Sequence, residues 1–144
     1  MAKKKKAPKV LNNTFILPFD DAYYFDCDDT LVMWPPGPVA ISWPESHKRA
    51  IEFKAPHGRN SFWLKPHLKH IQKLKGRARS GGTVVVWSAG GYKWAEEVVR
   101  VLDLWDHVDY IMGKPAICFD DQPVGSGIAP RRYFQPKKDE DDVV

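Results

Sequence analysis

The sequence predicts one α/β domain in which helices cover a parallel sheet. Short apolar runs alternate with segments of helical periodicity, and the order strand, helix, strand, helix, strand is typical of parallel sheets with right-handed crossovers. A chain of 144 residues is long enough for one domain with one hydrophobic core. Hydrophobic residues make up 43% of the chain, which is ordinary for a globular protein.

Three apolar runs are predicted to form buried strands. Residues 22–27 are mainly apolar and aromatic, residues 83–87 are Thr-Val-Val-Val-Trp, and residues 116–119 form the third run. Continuous apolar runs of this length are typical of strands that are buried on both faces. A further short strand is predicted at residues 109–112.

Two segments are predicted to be helices. Apolar side chains recur at every third position between residues 65 and 75, with Pro66 in the expected first turn and Gly76 beyond the expected end. Residues 94–104 also place their apolar side chains on one side of a helix.

Residues 34–60 are predicted to form a β-hairpin, or flap. Proline and glycine at residues 35–38 interrupt the chain, and two short β-like pieces follow at residues 39–43 and 50–54. Polar turn residues separate the two pieces, so we expect them to pair with each other.

The charged residues are concentrated at the two ends of the chain. The net charge is +4, and five lysines lie before residue 10. The last eight residues are net acidic, so the part between the ends is nearly neutral. We therefore expect a disordered basic arm at residues 1–13, a folded domain at 14–134 and a charged tail at 135–144. A basic arm on a neutral body is usually solvated, although it could contact nucleic acid.

Several protein classes are disfavoured by the sequence. Cys27 and Cys118 each lie in a short apolar run, and two buried thiols suit a reducing compartment better than a disulfide scaffold. The chain has no apolar stretch long enough to cross a membrane, and its lysine-rich start lacks the apolar segment of a secretory signal. We expect a cytoplasmic protein without a membrane partner, and the oligomeric state is not indicated.

Polar side chains follow three of the predicted strands, at the point where each strand ends. These residues are Asp26, Asp28 and Asp29 after the first strand, Ser88 after the second, and Asp120 and Asp121 after the last. In open α/β sheets, ligands bind beyond the carboxyl ends of the strands, so we expect these groups and the nearby Lys114 to share one crevice. Crowded carboxylates require a cation, and an all-oxygen site suits Mg²⁺. A lysine and a hydroxyl beside it would hold phosphate oxygens, which predicts a phosphoryl-transfer site.

The same residues resemble the motifs of a known family. Residues 25–31, Phe-Asp-Cys-Asp-Asp-Thr-Leu, resemble the first motif, DxDxT, of the haloacid dehalogenase-like (HAD-like) phosphohydrolases. Ser88 resembles the second motif, Lys114-Pro115 the third, and Phe119-Asp120-Asp121 the fourth, in the family's order. The resemblance covers roughly residues 22–124. It implies a Rossmann-like three-layer fold of the compact capless type, with the flap in place of a cap domain.

The resemblance also implies a role for each matching residue. Asp26 would attack phosphorus and form an aspartyl-phosphate, and Asp28 would protonate the leaving oxygen and then act as base on water. Ser88 would donate to a phosphoryl oxygen, and Lys114 would neutralise charge there and restrain Asp26. The implied ligands of Mg²⁺ are the Asp26 carboxylate, the Asp28 backbone carbonyl, Asp120 and Asp121, the last directly or through water.

The sequence leaves the function open between several hypotheses. The leading one is a Mg²⁺-dependent phosphatase acting on a phosphomonoester, with a nucleic-acid end, a nucleotide or a phosphoprotein as substrate. A second is a non-catalytic module that binds nucleic acid through its basic arm. A phosphotransferase or phosphonate-type hydrolase is the third, because the same nucleophile serves those reactions.

Two sets of side chains near the predicted flap and helix are expected to be structural. His67 and His70 lie three apart on the predicted helix, and a surface pair is a better interpretation than a Zn²⁺ site. Trp34, Trp43 and Trp63 are expected to pack the flap onto the core rather than stack on a base.

Overall fold

A computed structural model of the chain describes residues 7–11, 22–37, 42–117 and 119. These residues form a mixed α/β fold with two helices and a parallel sheet, which confirms the coarse fold class. The strands are β1 (Lys9–Leu11), β2 (Ala22–Asp26), β3 (Val32–Met33), β4 (Ile51–Lys54), β5 (Ser61–Pro66), β6 (Thr83–Ser88) and β7 (Tyr110–Gly113). The helices are α1 (Leu68–Arg79) and α2 (Tyr92–Val101), and a 3₁₀ turn spans Trp105–His107.

The main sheet has the order β1-β7-β6-β2, and every neighbouring pair in it is parallel. Strands β2, β6 and β7 lie within one residue of the bounds predicted from the apolar runs. Both helices contact β6, where Val84, Val85 and Val86 are fully buried. This burial explains why four of the six residues of β6 are β-branched, since a central strand meets apolar neighbours on both faces.

Helix α1 begins and ends later than predicted. Pro66 ends β5 instead of lying in the first turn of the helix, and His67 caps the helix by accepting a hydrogen bond at Nδ1 from the His70 N–H. Gly76 lies inside α1, because Ala78 beyond it is buried against the core and offsets the roughly 1 kcal/mol that glycine costs in a helix. The helix ends before Gly81, whose φ of 86° is in the left-handed region that glycine adopts without strain.

Among the described residues, the flap does not pair as predicted. Strand β4 pairs in antiparallel fashion with β5, and β3 pairs with the other side of β5, which gives a second sheet of order β3-β5-β4. Ser42 and Trp43 are not in a strand, and residues 39–41 lie outside the described residues. The short loop at residues 55–60 makes β4 and β5 neighbours along the chain, and such neighbours usually pair.

The hairpin formed by β4 and β5 is packed against the body of the domain. Phe53 and Leu64 are fully buried, and the Lys54 backbone N–H donates to Glu97 Oε2 on α2 over 2.7 Å. Trp34 packs against the same core, as expected, while Trp43 Nε1 donates to the Met33 carbonyl over 2.9 Å.

The ends of the domain also differ from the predictions. Residues 9–11 form β1 and pair with β7, so the prediction that residues 1–13 are disordered throughout is wrong. The exposed edge of a strand can pair with any nearby backbone, and apolar periodicity in the sequence does not indicate such pairing. Ala116, Ile117 and Phe119 are not in a strand, and Ile117 and Phe119 are 76% and 96% exposed. Only two residues follow β7 before this run, and a parallel neighbour requires a crossover of about a dozen. Cys118 and the tail from residue 120 lie outside the described residues.

In the described ranges, no helix is both long and apolar enough to span a lipid bilayer.

The packing of the hairpin predicts a large loss of stability on truncation of Phe53. Phe53→Ala is expected to lower the free energy of unfolding by about 3–5 kcal/mol, because it removes a fully buried aromatic ring. Urea unfolding followed by circular dichroism measures the change. Glu52→Ala, on the exposed neighbour in the same strand, is the control and should change it by less than about 0.5 kcal/mol. Equal small effects of both substitutions would contradict a packed hairpin.

Candidate active site

Three of the predicted site residues meet at the carboxyl edge of the main sheet. Asp26 is the last residue of β2 and is in register with Trp87 of β6. Ser88 ends β6 in register with Gly113, and the Lys114 backbone N–H donates to the Ser88 carbonyl over 2.8 Å. The parallel strands therefore bring Asp26, Ser88 and Lys114 to one place, although the chain separates them widely.

The Asp26 carboxylate forms an ion pair with Lys114. Lys114 Nζ lies 3.1 Å from Asp26 Oδ1, and the two side chains are 35% and 30% exposed. On the other oxygen, Thr30 Oγ1 donates to Asp26 Oδ2 over 3.5 Å. A partly exposed ion pair contributes little to stability, so its main consequence is to hold a cation beside an accessible carboxylate.

The chain turns sharply directly after Asp26. The Cys27 carbonyl accepts hydrogen bonds from the backbone N–H groups of Thr30, Leu31 and Val32, over 3.0–3.2 Å. Asp29 has a φ of 56°, a left-handed conformation that aspartate tolerates better than most residues. The turn places Asp26 close enough to Asp28 for the Asp26 charge to raise the pKa of Asp28.

Cys27 itself is not a candidate nucleophile. The thiol is fully buried, and burial raises its pKa well above the ordinary value. The neighbouring Asp28 and Asp26 carboxylates raise this pKa further, and Lys114 opposes them. The thiol therefore stays protonated, whereas a nucleophile or metal ligand has to be the thiolate.

Asp28 lies in a more enclosed environment than Asp26. Trp34 Nε1 donates to Asp28 Oδ1 over 2.8 Å, and Trp94 Nε1 lies 3.2 Å from both oxygens. Burial raises the pKa of Asp28; the hydrogen bonds from Trp34 and Trp94 lower it, and the charges of Asp26 and Asp29 raise it again, with a net shift upward. Such a carboxyl holds a proton at higher pH than a solvated aspartate does, as a general acid requires.

Ser88 is fully buried at the end of β6. Its Oγ accepts a hydrogen bond from the Gly90 N–H over 3.0 Å, and its carbonyl accepts another from the Gly91 N–H. A Cβ at Gly90 would lie 3.3 Å from Ser88 Oγ and 3.2 Å from Trp94 Cδ1, so a side chain there would crowd both groups. Ser88 therefore organises the turn that leads from β6 into α2.

The structure overturns the prediction that His67 and His70 form a surface pair. Both are buried, with parallel rings whose centroids lie 3.3 Å apart. His70 Nδ1 lies 2.6 Å from the Thr30 carbonyl, and the His67 N–H donates to the Leu31 carbonyl over 2.9 Å. The pair thus fastens the start of α1 to the turn after Asp26. The apolar stripe of the helix indicated this, because His67 and His70 precede Leu74 by seven and four positions.

The described residues include no group of three or more His, Cys, Asp or Glu side chains able to hold a metal ion. Asp120 and Asp121, two of the expected ligands, lie outside them. The accessible Asp26 carboxylate and the nearby backbone carbonyls are oxygen donors, which suit Mg²⁺; it commonly takes only one or two protein carboxylates.

Comparison of the chain with protein-family models, with curated proteins and with solved structures found no match. The fold and the site together define an α/β protein with a carboxylate–lysine pair at the carboxyl edge of its parallel sheet.

The enclosure of Asp28 predicts a measurable titration. The midpoint for its carboxyl carbon, followed by ¹³C NMR, should be higher in the folded protein than in the urea-unfolded chain, because burial disfavours the ionised form. The folded state then binds the proton more tightly, so this group makes folding stability fall as the pH rises between the two midpoints. Trp34→Phe should raise the folded midpoint further, whereas Trp43→Phe, whose indole bonds a backbone carbonyl, should not. A folded midpoint at or below the unfolded one would refute this account.

Proposed function

We propose that this chain is a Mg²⁺-dependent phosphatase of the haloacid dehalogenase-like superfamily that hydrolyses a phosphomonoester through an aspartyl-phosphate on Asp26. The observation that carries the proposal is the convergence of Asp26, Ser88 and Lys114 at one edge of a parallel sheet, in the order of the family's motifs. The finer fold assignment, Rossmann-like and HAD-like, rests on the same convergence.

Asp26 has the surroundings that a carboxylate nucleophile requires. Its side chain is partly open to solvent, so a phosphoryl group can approach it. As an Asp26 oxygen bonds to phosphorus, the bond between phosphorus and the leaving oxygen breaks. Lys114 lies close enough to Asp26 to neutralise charge on the phosphoryl oxygens and to restrain the carboxylate.

Asp28 is suited to the proton transfers of both half-reactions. In the first, its proton passes to the leaving oxygen, so the product leaves as an alcohol. In the second, the Asp28 carboxylate accepts a proton from water while the water oxygen bonds to phosphorus and the Asp26–phosphorus bond breaks. The raised pKa of Asp28, caused chiefly by burial, supports the first of these roles.

Ser88 has a less direct part in this proposal than its motif alone implies. A phosphoryl oxygen can accept from Ser88 Oγ only after atoms that now bury it move aside. Its established contacts, to Gly90 and to the Lys114 backbone, hold the turn and the lysine in place.

Magnesium fits the oxygen donors at this edge of the sheet. The residues that would hold it are the Asp26 carboxylate and the Asp28 backbone carbonyl, together with Asp120 and Asp121. When bound, the ion neutralises negative charge on the phosphoryl group. The two indoles occupy the Asp28 side chain, which supports the use of its backbone carbonyl instead.

The substrate we propose is a macromolecular or nucleotide phosphomonoester, namely a nucleic-acid end, a nucleotide or a phosphoprotein. The segment between the first two motifs contributes short antiparallel strands that pack on the core. A compact segment of this kind supports an open site that a large substrate can enter.

The decisive test of the proposal is Asp26→Asn. Hydrolysis of an aryl phosphate by the wild type should require Mg²⁺, and the substitution should lower kcat by at least about 1,000-fold, because an amide does not form the covalent intermediate. The matched control is Asp29→Asn in the same turn. Asparagine tolerates the left-handed backbone conformation, and its side-chain oxygen can still accept the hydrogen bond from the Trp34 backbone N–H. Equal loss in both variants would indicate damage to the turn, and unchanged turnover in Asp26→Asn would exclude the covalent mechanism.

A second candidate function, nucleic-acid binding without catalysis, is favoured by the charge of α1. This helix carries five cationic residues and no acidic one within Leu68–Arg79. They are Lys69, Lys73, Lys75, Arg77 and Arg79. Lys73, Arg77 and Arg79 are exposed, which is the pattern of a surface that contacts phosphates. This surface lies within the described domain, in addition to the basic arm.

Binding to a fluorescent single-stranded oligonucleotide tests this candidate. Lys73→Gln with Arg79→Gln should weaken binding and reduce the slope of log affinity against log salt by roughly 1.4, at about 0.7 for each lost phosphate contact on a single strand. Lys48→Gln with Lys93→Gln removes the same charge from exposed positions elsewhere and should leave the slope unchanged. Binding that responds equally to both pairs would reflect net charge alone and would exclude a dedicated surface on α1.

A further inference from the structure

The Asp28 carboxylate is held between two indoles that come from different parts of the chain. Trp34 lies just beyond β3, whereas Trp94 lies on α2, 66 positions from Asp28. The two oxygens are treated unequally. Oδ1 accepts from Trp34 over 2.8 Å and from Trp94 over 3.2 Å, while Oδ2 shares only the Trp94 hydrogen.

The two indoles are themselves fixed by aromatic packing. Phe62 of the hairpin contacts both of them edge-on, with ring centroids 5.2 Å from Trp34 and 6.0 Å from Trp94. Phe53 adds a second edge contact to Trp94 over 5.9 Å, and Trp94 is almost completely buried. Edge-to-face pairs of this kind restrict ring orientation as well as burying area. The hairpin therefore holds both N–H groups in place.

We propose that Trp34 and Trp94 are positioning residues that hold the Asp28 side chain in one orientation and leave Oδ2 as the oxygen that exchanges a proton with the substrate. This inference rests on the proposed phosphatase function. Because Oδ1 already accepts two hydrogen bonds, the hydrogen of the protonated carboxyl group resides on Oδ2. During cleavage the bond between phosphorus and the leaving oxygen breaks, and the Oδ2 hydrogen passes to that oxygen as a proton. Both electrons of the O–H bond remain on Asp28.

A purely structural role for the indoles is the competing explanation. A half-buried carboxylate requires hydrogen-bond donors whatever its function, and two indoles satisfy that requirement. The two explanations differ in what loss of one N–H does. A structural donor affects stability and all substrates alike. A positioning donor affects the steps in which Asp28 transfers a proton, and of these only the protonation of the leaving oxygen depends on the substrate.

The test compares Trp34→Phe and Trp94→Phe on phosphate esters with different leaving groups. Phenylalanine keeps a ring for packing and removes the N–H. We expect kcat/KM for an alkyl phosphate, whose alkoxide is a poor leaving group, to fall roughly 100-fold, the lower range for general-acid catalysis. With 2,4-dinitrophenyl phosphate, whose phenolate leaves without protonation, kcat/KM should fall less than about 3-fold. The comparison uses kcat/KM because this parameter covers only the steps up to release of the alcohol or phenolate, before the aspartyl-phosphate common to both esters is hydrolysed.

Trp43→Phe is the matched control, since it removes an indole N–H from the same region. Its partner is the Met33 carbonyl, so it should reduce turnover of both esters equally, if at all. Equal losses of kcat/KM for the two esters in Trp34→Phe and Trp94→Phe would overturn the proposal, as would unchanged kcat/KM for the alkyl ester.

A second measurement does not depend on activity and separates failure of this inference from failure of the proposed function. In ¹H–¹⁵N spectra, Asp28→Ala should shift the indole N–H signals of Trp34 and Trp94 and leave that of Trp43 in place. Three-bond couplings should show one χ1 rotamer for Asp28 in the wild type and averaging in the Trp34→Phe, Trp94→Phe double variant. An averaged χ1 rotamer of Asp28 in the wild type would exclude the positioning role of the two indoles, even if the enzyme is active. A single rotamer in a protein without phosphatase activity would reject the proposed function, and the proton-transfer role with it.

Discussion

The carboxyl edge of the sheet depends on the turn that follows β2. The Cys27 carbonyl accepts hydrogen bonds from three backbone N–H groups, and these bonds stabilise a reversal of the chain within a few residues. The turn then presents two carbonyls to the start of α1, where the His67 backbone N–H and the His70 ring contact them. Because a buried carbonyl left unpaired costs about 1–3 kcal/mol, these two contacts stabilise the one loop conformation that separates Asp26 from Asp28. In the proposed mechanism, that separation gives each carboxylate a different partner.

The hairpin of β4 and β5 acts on the site from the opposite side. Its contact to Glu97 on α2 and its buried Phe53 anchor it to the body of the domain, while Phe62 reaches both indoles beside Asp28. A hairpin that is anchored at several points forms a fixed side of the site and not a mobile lid. In the proposed function, a substrate that approaches Asp26 meets a preformed surface, and preorganised surroundings of this kind reduce the cost of ordering groups during a reaction.

The sequence predicts the local features of this molecule better than the long-range ones. Strands β2, β6 and β7 follow from apolar runs, and polar residues at their ends indicate where Asp26 and Ser88 meet. Strand β1 and the pairing of β5 depend on which edges remain open after folding, which apolar periodicity does not encode. Trp94 resembled an ordinary core residue because its apolar ring fits the stripe of α2. Its N–H is the informative part, and only the fold brings it to Asp28.

The two carboxylates of the first motif are chemically identical but lie in different surroundings. Asp26 is accessible and has the Lys114 ammonium 3.1 Å away. Asp28 is enclosed and has only neutral indole donors, which bind a carboxylate without supplying a full positive charge. Replacing one of those donors by lysine would stabilise the ionised form and remove the capacity to carry a proton. Tryptophan satisfies the buried oxygens and retains that capacity, which is a physical reason for indoles rather than cations at this position.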